Sequence, residues 1–210
     1  KTIVEYLKKF PNLDEVKYFV MDMNHVYLGI CKELFPNAKP VADRFHYTRC
    51  CTEAVEAVRK RVQDSLSSKA RKRFKKSRKL LLKKDCKLSP EERVAVEALL
   101  AHSEDLTRAW LLKEDFYRFL QSKDSDEAKK KLDQFCHSAK KLQLPEFEPL
   151  LKTLKNWEPY ILNSFDCPYS NGFTEGTNNS IKVLKRVTYG MPNFRNFRAR
   201  ILHCCSKVVP

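Results

Sequence analysis

VKYFVMDMNHVYLGICKELFPNAKPVAD, residues 16–43, changes hydrophobic rhythm twice. Val16 to Met21 is a short apolar run rich in strand-forming residues that stops at Asp22, as a buried strand does. From His25 to Phe35 the apolar residues Val26, Leu28, Ile30, Cys31, Leu34 and Phe35 recur as on one face of a helix, and Pro36-Asn37 ends it. Lys39 to Ala42 is a second strand running into Asp43. Strand, helix and strand within about thirty residues form a βαβ unit, whose strands are parallel through a right-handed crossover. Asp22 and Asp43 therefore both stand at the carboxyl ends of strands, where open α/β sheets gather their ligands.

Upstream, Ile3, Val4, Leu7 and Phe10 share a helical face, and Pro11-Asn12 breaks it. The chain opens on Lys1 and is already helical in pattern, which is what a fragment of a longer protein would show. Downstream of Phe45 strand signals end. Ser89-Pro90-Glu91-Glu92 combines a capping box with proline at the first helical position. Further helices are expected near Leu106–Leu120, Asp126–Leu142, Phe147–Leu162, Gly172–Val187 and Phe194–Cys205. The fold class is α/β but predominantly helical, with short parallel strands near 16–22 and 39–43.

Across 210 residues the formal charge is +15, with 42% hydrophobic and 11% aromatic residues, enough for a core and a marked preference for polyanions. The charge is clustered. Arg59 to Lys87 holds fourteen Lys and Arg against Asp64 and Asp85, and Ser170 to Pro210 holds seven, including Lys207, against Glu175 alone. Such a cluster is either a solvated surface or a phosphate-binding face, and its density favours the second. No apolar run is long enough to span a bilayer and no leader pattern opens the chain, so a soluble, intracellular protein without a membrane partner is expected. Eight cysteines include the adjacent pairs Cys50-Cys51 and Cys204-Cys205, without the spacing of a zinc ribbon or a disulfide framework. Reduced packing thiols are expected, and His203 beside Cys204 and Cys205 makes no convergent metal set. Trp110, Phe116, Tyr117 and Phe119 read as core.

Three groups of residues could carry chemistry. Asp22 is either a ligand-site carboxylate or a cap for the helix near Asn24. Asp43 and His46 are either an acid and an imidazole sharing one site or a helix cap beside an ordinary histidine. On the helix from Gly172, Glu175, Asn179 and Lys182 share a face that Arg186 continues, with Phe173, Ile181 and Leu184 as anchors to the core. Periodicity alone reads that face as solvated.

VKYFVMDMNHVY, LFPNAKPVADRFH and SNGFTEGTNNSIKVLKRVTYGMPNFRNFRARI, in this order, resemble transposases of the ISL-three family of bacterial insertion sequences. The resemblance implies a partial RNase H-like fold with a large all-helical insertion. Residues 1–48 would be partial catalytic core, 49–166 the insertion with its basic segment 59–87, and 167–210 the C-terminal helices completing the core. It implies a DDE triad in which Asp22 matches the second carboxylate and Glu175 the third, both as catalytic metal ligands. The first aspartate has no counterpart, so the fragment is expected to be inactive alone. A rival assignment makes Asp22 the first carboxylate and Asp43 the second. Asp43 and His46 match the D-x-x-H element of such enzymes and take an auxiliary role, as do Asn179 and Lys182.

The implied chemistry is phosphodiester hydrolysis and DNA strand transfer with Mg²⁺, or Mn²⁺ in its place, as cofactor. Double-stranded DNA, as element ends and target, is the implied partner, held by Arg71, Lys72, Arg73, Lys75, Lys76, Arg78, Lys79, Lys185 and Arg186. A homodimer and a bacterial cytoplasmic, nucleoid-associated location are implied too. The competing reading is a non-catalytic DNA-binding helical protein derived from a transposase.

Overall fold

The computed structural model describes residues 2–205, and within them the side chains of Thr2, Arg73 and Cys205 lie outside the description, as does Lys207. The described chain forms two compact units, Lys1–Pro168 and Tyr169–Pro210.

The first unit is built on the two expected strands, β1 (Tyr18–Met21) and β2 (Lys39–Ala42), preceded by α1 (Thr2–Leu7) and joined through α2 (His25–Leu34). They pair in parallel with Tyr18 opposite Lys39 and Met21 opposite Ala42, and the ladder runs on as Asp43 N donates to Met21 O at 2.9 Å. Pro40 has no N–H to give a further strand, which suits a sheet that ends here. Its carbonyl instead accepts from Asn163 Nδ2 at 2.7 Å, on the helix that covers β2.

Among the described residues of this unit, the regular elements after β2 are helices: α3 (Arg44–Asp64), α4 (Ser68–Lys76), α5 (Arg78–Leu82), α6 (Pro90–Leu100), α7 (Glu104–Leu120), α8 (Ser125–Leu142) and α9 (Glu148–Asp166). The Ser89 capping box opens α6 as the sequence indicates, with Ser89 Oγ accepting from Glu92 N and the Glu92 carboxylate accepting from Ser89 N. α3, α7, α8 and α9 pack around Tyr47, Phe116, Phe119, Phe135, Phe147 and Ile161, and Met21, Leu28 and Ala42 of the βαβ unit belong to the same buried cluster. Trp110 packs against this cluster partly buried, and Tyr117, next to Phe116 in sequence, is half-buried and bonded to Leu82 O instead of lying in the cluster.

Two interactions fasten α3 to α9 beside the strands. Ser164 Oγ gives its hydrogen to Ile161 O at 2.6 Å, so the buried Tyr47 hydroxyl is the donor in the 2.9 Å bond between them. Burial pushes the Tyr47 phenol up to about 12. Arg44 turns the same way, donating to Ser164 O at 2.7 Å with its guanidinium 4.5 Å from the Phe165 ring centroid.

The basic stretch from Arg59 differs from the single helical face that its composition suggests. It spans the end of α3, then α4, α5 and a 3-10 turn at Asp85–Lys87. Two buried cations, one within the stretch and one outside it, hold it in place. Arg59 is buried, bound to Glu56 at 2.7 Å and donating to Phe74 O at 2.8 Å, so it braces α4 rather than facing solvent. Lys113 of α7 is fully buried and donates to Leu81 O at 2.8 Å and Lys83 O at 2.7 Å. Tyr117 Oη adds a bond to Leu82 O at 3.1 Å, and Glu114 Oε1 accepts from Asp85 N at 3.1 Å. The α4–α5 arm is thus held near its middle and at its C-terminal end through main-chain groups.

The second unit is a helical hairpin of α10 (Gly172–Val187) and α11 (Phe194–Cys205), with the bounds expected from the sequence. The turn between them needs a left-handed backbone: Tyr189 has φ 52° and Gly190 φ 89°. Glycine adopts the latter without the Cβ clash that another residue would meet. No disulfide joins the described cysteines, of which Cys31, Cys51 and Cys167 are buried.

Candidate metal centre

Parallel pairing with Met21 opposite Ala42 sets the next residue of each strand, Asp22 and Asp43, side by side at one end of the sheet. His46 follows Asp43 by one helical turn, so the start of α3 brings its ring back over the strand ends. Its Nε2 lies 2.8 Å from Asp22 Oδ1 and 3.9 Å from Asp43 Oδ2. One ligand atom from each of the three residues lies within 4.8 Å of the others, and among the described residues this is the only such group of His, Cys, Asp or Glu. The Phe45 ring stands edge-on to the imidazole, with centroids 5.6 Å apart.

Neither aspartate does the capping work that the sequence left open. Asn24 caps α2, its Oδ1 accepting from Val26 N at 2.8 Å. Asp43 occupies the N-cap position of α3 with no side-chain hydrogen bond to the helix. Its side chain is only 7% exposed and its Oδ2 is buried without a hydrogen-bond partner. A buried carboxylate oxygen in that state costs free energy unless a cation or donor meets it. Asp22 and His46, at 46% and 30% side-chain exposure, give the group an open side. Two carboxylates and an imidazole at this separation suit a divalent cation.

The remaining candidate residues lie on α10 of the second unit. Glu175 is in its first turn, where the positive end of the helix dipole favours a carboxylate, and Lys185 and Arg186 are in the last turn, where it favours cations. Glu175, Asn179, Lys182 and Arg186 are all exposed. The half-buried stripe is Thr177, Ile181, Leu184 and Thr188, so Ile181 and Leu184 are on the packed side as anticipated. Phe173, expected as a third anchor, is 60% exposed. It falls one turn before the stripe begins.

On the arm, Lys72, Lys75, Lys76, Arg78 and Lys79 are exposed, as is Arg71. Arg71 pairs with Asp64 at 2.7 Å and Arg78 lies 3.9 Å from Glu56. The Arg73 side chain is outside the described residues. The bracing roles of Arg59 and Lys113 went unread in the sequence. A signal for Lys113 was there, because it falls on the α7 stripe that continues through Ala109 and Phe116, where an apolar residue is the rule.

A family model described as transposase, of the DDE kind found in ISL-three elements, matches residues 1–201. The transposase for insertion sequence element IS1557 of Mycobacterium tuberculosis is 30% identical over 194 residues, covering 82% of this chain and 43% of that protein. The transposase for insertion sequence element IS1001 of Bordetella parapertussis is 26% identical over 189 residues, covering 89% of this chain and 47% of that one. A Lactococcus lactis protein named ATP-dependent protease is 35% identical over 108 residues, covering 51% of this chain and 33% of its own. None of the four glycines here precedes a lysine, as an ATP-binding phosphate loop would require. No solved structure matches. The chain spans from a third to about half the length of these curated relatives, and it belongs to the ISL-three family of DDE transposases.

Proposed function

We propose that this chain is a fragment of a transposase catalytic domain that hydrolyses phosphodiester bonds at the ends of an insertion sequence and joins the freed ends to target DNA. The observation that carries the reading is the placing of Asp22 and Asp43 at adjacent ends of parallel strands, in a chain whose family match runs over residues 1–201. The βαβ unit is then part of an RNase H-like core, residues 49–166 an insertion in it, and α10 and α11 the helices that complete it.

In this reading Asp22 and Glu175 are two of three metal-holding carboxylates, and the first has no counterpart among these residues. Divalent ions, Mg²⁺ or Mn²⁺, supply charge neutralisation at the attacking and leaving oxygens when bound. Asp22 presents an oxygen from a strand end, a rigid support. Glu175 presents another from the first turn of α10. Asn179 and Lys182, one and two turns further along that face, hold the phosphodiester by hydrogen bond and by charge. Double-stranded DNA lies along α4 and α5 and against Lys185 and Arg186, and two copies of the protein pair the two element ends. The protein works where bacterial chromosomal DNA is, in the cytoplasm at the nucleoid.

The test is Mg²⁺-dependent cleavage of element-end DNA by the chain extended to the length of its relatives. Glu175→Gln and Asp22→Asn should each lower cleavage by at least a hundredfold while leaving DNA binding unchanged. Cleavage by Glu175→Gln at the unaltered rate would remove Glu175 from the mechanism.

A further inference from the structure

We propose that Asp22, Asp43 and His46 form a self-contained site for one first-row transition-metal dication, bound through an imidazole nitrogen as well as carboxylate oxygens and loaded without Glu175. The site shares Asp22 with the function proposed above, yet it stands on the geometry of the first unit alone.

Three observations carry it. The first is spacing. Around an ion with bonds of about 2.1 Å, neighbouring octahedral ligands lie about 3 Å apart and opposite ones about 4.2 Å. The separations here, 2.8 Å from His46 Nε2 to Asp22 Oδ1 and 3.9 Å to Asp43 Oδ2, are close to those two values, and the ligand atoms stay within 4.8 Å of one another. Shifts of a few tenths of an ångström would bring all three onto one ion. The second is the buried Oδ2 of Asp43, which meets no hydrogen-bond donor. Arg44, the cation next to it in sequence, is committed elsewhere, donating to Ser164 O and lying over the Phe165 ring. An ion between the strand ends would meet that oxygen directly. The third is rigidity. Two ligands follow paired strands and the third lies in the first turn of α3, so little order remains to be imposed on binding.

The donor set also indicates the kind of ion. Mg²⁺ prefers all-oxygen surroundings and keeps much of its water, whereas an imidazole favours Mn²⁺, Fe²⁺, Co²⁺ or Zn²⁺. The exposed side of Asp22 and His46 leaves the remaining positions to water or to phosphate oxygens.

Mn²⁺ is the probe, added to the chain as it stands and followed by electron paramagnetic resonance. Bound Mn²⁺ should titrate to one equivalent, and spin-echo modulation should show a directly bound ¹⁴N nucleus. His46→Gln should abolish the nitrogen signal, which assigns it among the five histidines. His46→Gln and Asp43→Asn should each weaken binding at least tenfold, while Glu175→Gln should change it less than twofold. Tenfold excess Mg²⁺ should leave Mn²⁺ bound. Mn²⁺ binding without nitrogen modulation in the unaltered chain would overturn the proposal, and that result does not depend on how any variant folds. If nitrogen is absent and Glu175→Gln releases the ion, the carboxylate-only site of the proposed function stands and this one falls. Failure of cleavage in the extended protein, with nitrogen-bound Mn²⁺ intact, would mean the reverse.

Discussion

Lys72, Lys75, Lys76 and Lys79 follow one another at helical spacings of three, one and three, and Ser77 between α4 and α5 keeps a right-handed helical conformation at φ −81° and ψ −8°. All four are exposed, outside the pairs that engage Arg71 with Asp64 and Arg78 with Glu56. Replacing the four with glutamine removes four cations from one face and touches neither the Arg59 nor the Lys113 brace. If each contacts a phosphate, the slope of log Kobs against log salt for duplex DNA should fall in magnitude by about 0.9 per lysine, or about 3.6 in all. At about 0.15 M salt the same slope corresponds to about three orders of magnitude in affinity, with other contacts unchanged. Fluorescence anisotropy with one duplex at five salt concentrations measures both quantities. Thermal unfolding of the variant should match the parent within about 2 °C, because exposed substitutions away from packed features change stability little. A slope that changes by less than about one unit would refute phosphate contact by this face, whatever happens to affinity at any single salt concentration.

Other outcomes follow from buried groups. Burial lowers the Lys113 ammonium from its usual value of 10.5, against the opposing pull of Glu114, so over the interval below 10.5 the unfolded chain holds a proton that the folded chain has lost. The contribution of Lys113 to stability therefore rises with pH through that interval and levels off above 10.5, and urea unfolding should show the parent gaining on Lys113→Met as pH rises through it. The same variant strips two main-chain carbonyls of their donor and should lose roughly 2 kcal/mol near neutral pH. Tyr47→Phe removes one buried donor to Ser164 while that hydroxyl keeps its bond to Ile161, so a loss of about 1 kcal/mol is expected, read as a drop of a few degrees in Tm. A loss near 4 kcal/mol would mean that the α3–α9 junction repacks.

The elements legible in the sequence were those whose signals are local. The change of rhythm between Val16 and Asp43 gave both strands and their helix, each within a residue or two of the observed bounds. The two helices of the C-terminal hairpin, Gly172–Val187 and Phe194–Cys205, were legible in the same way from their apolar spacing. What could not be read was set by distant partners. No local pattern tells Asp43 as a cap from Asp43 as a buried acid, because the difference lies in where His46 and Asp22 stand around it. Likewise the run of cations from Arg59 looks uniform as text, although Arg59 points inward to Glu56 and Phe74 while Lys72 points to water. Those differences are tertiary, fixed by how α3 and α7 pack, and local propensity carries no record of them.

The bracing of the arm separates two properties that are usually entangled. Arg59 and Lys113 grip main-chain oxygens, which every residue type supplies, so the stiffness of α4 and α5 is set by two helices lying outside them in sequence. The exposed lysines Lys72, Lys75, Lys76 and Lys79 take no part in these bracing bonds. Under the proposed function, their number and position set the strength of the grip on DNA, while the frame that presents them is fixed separately.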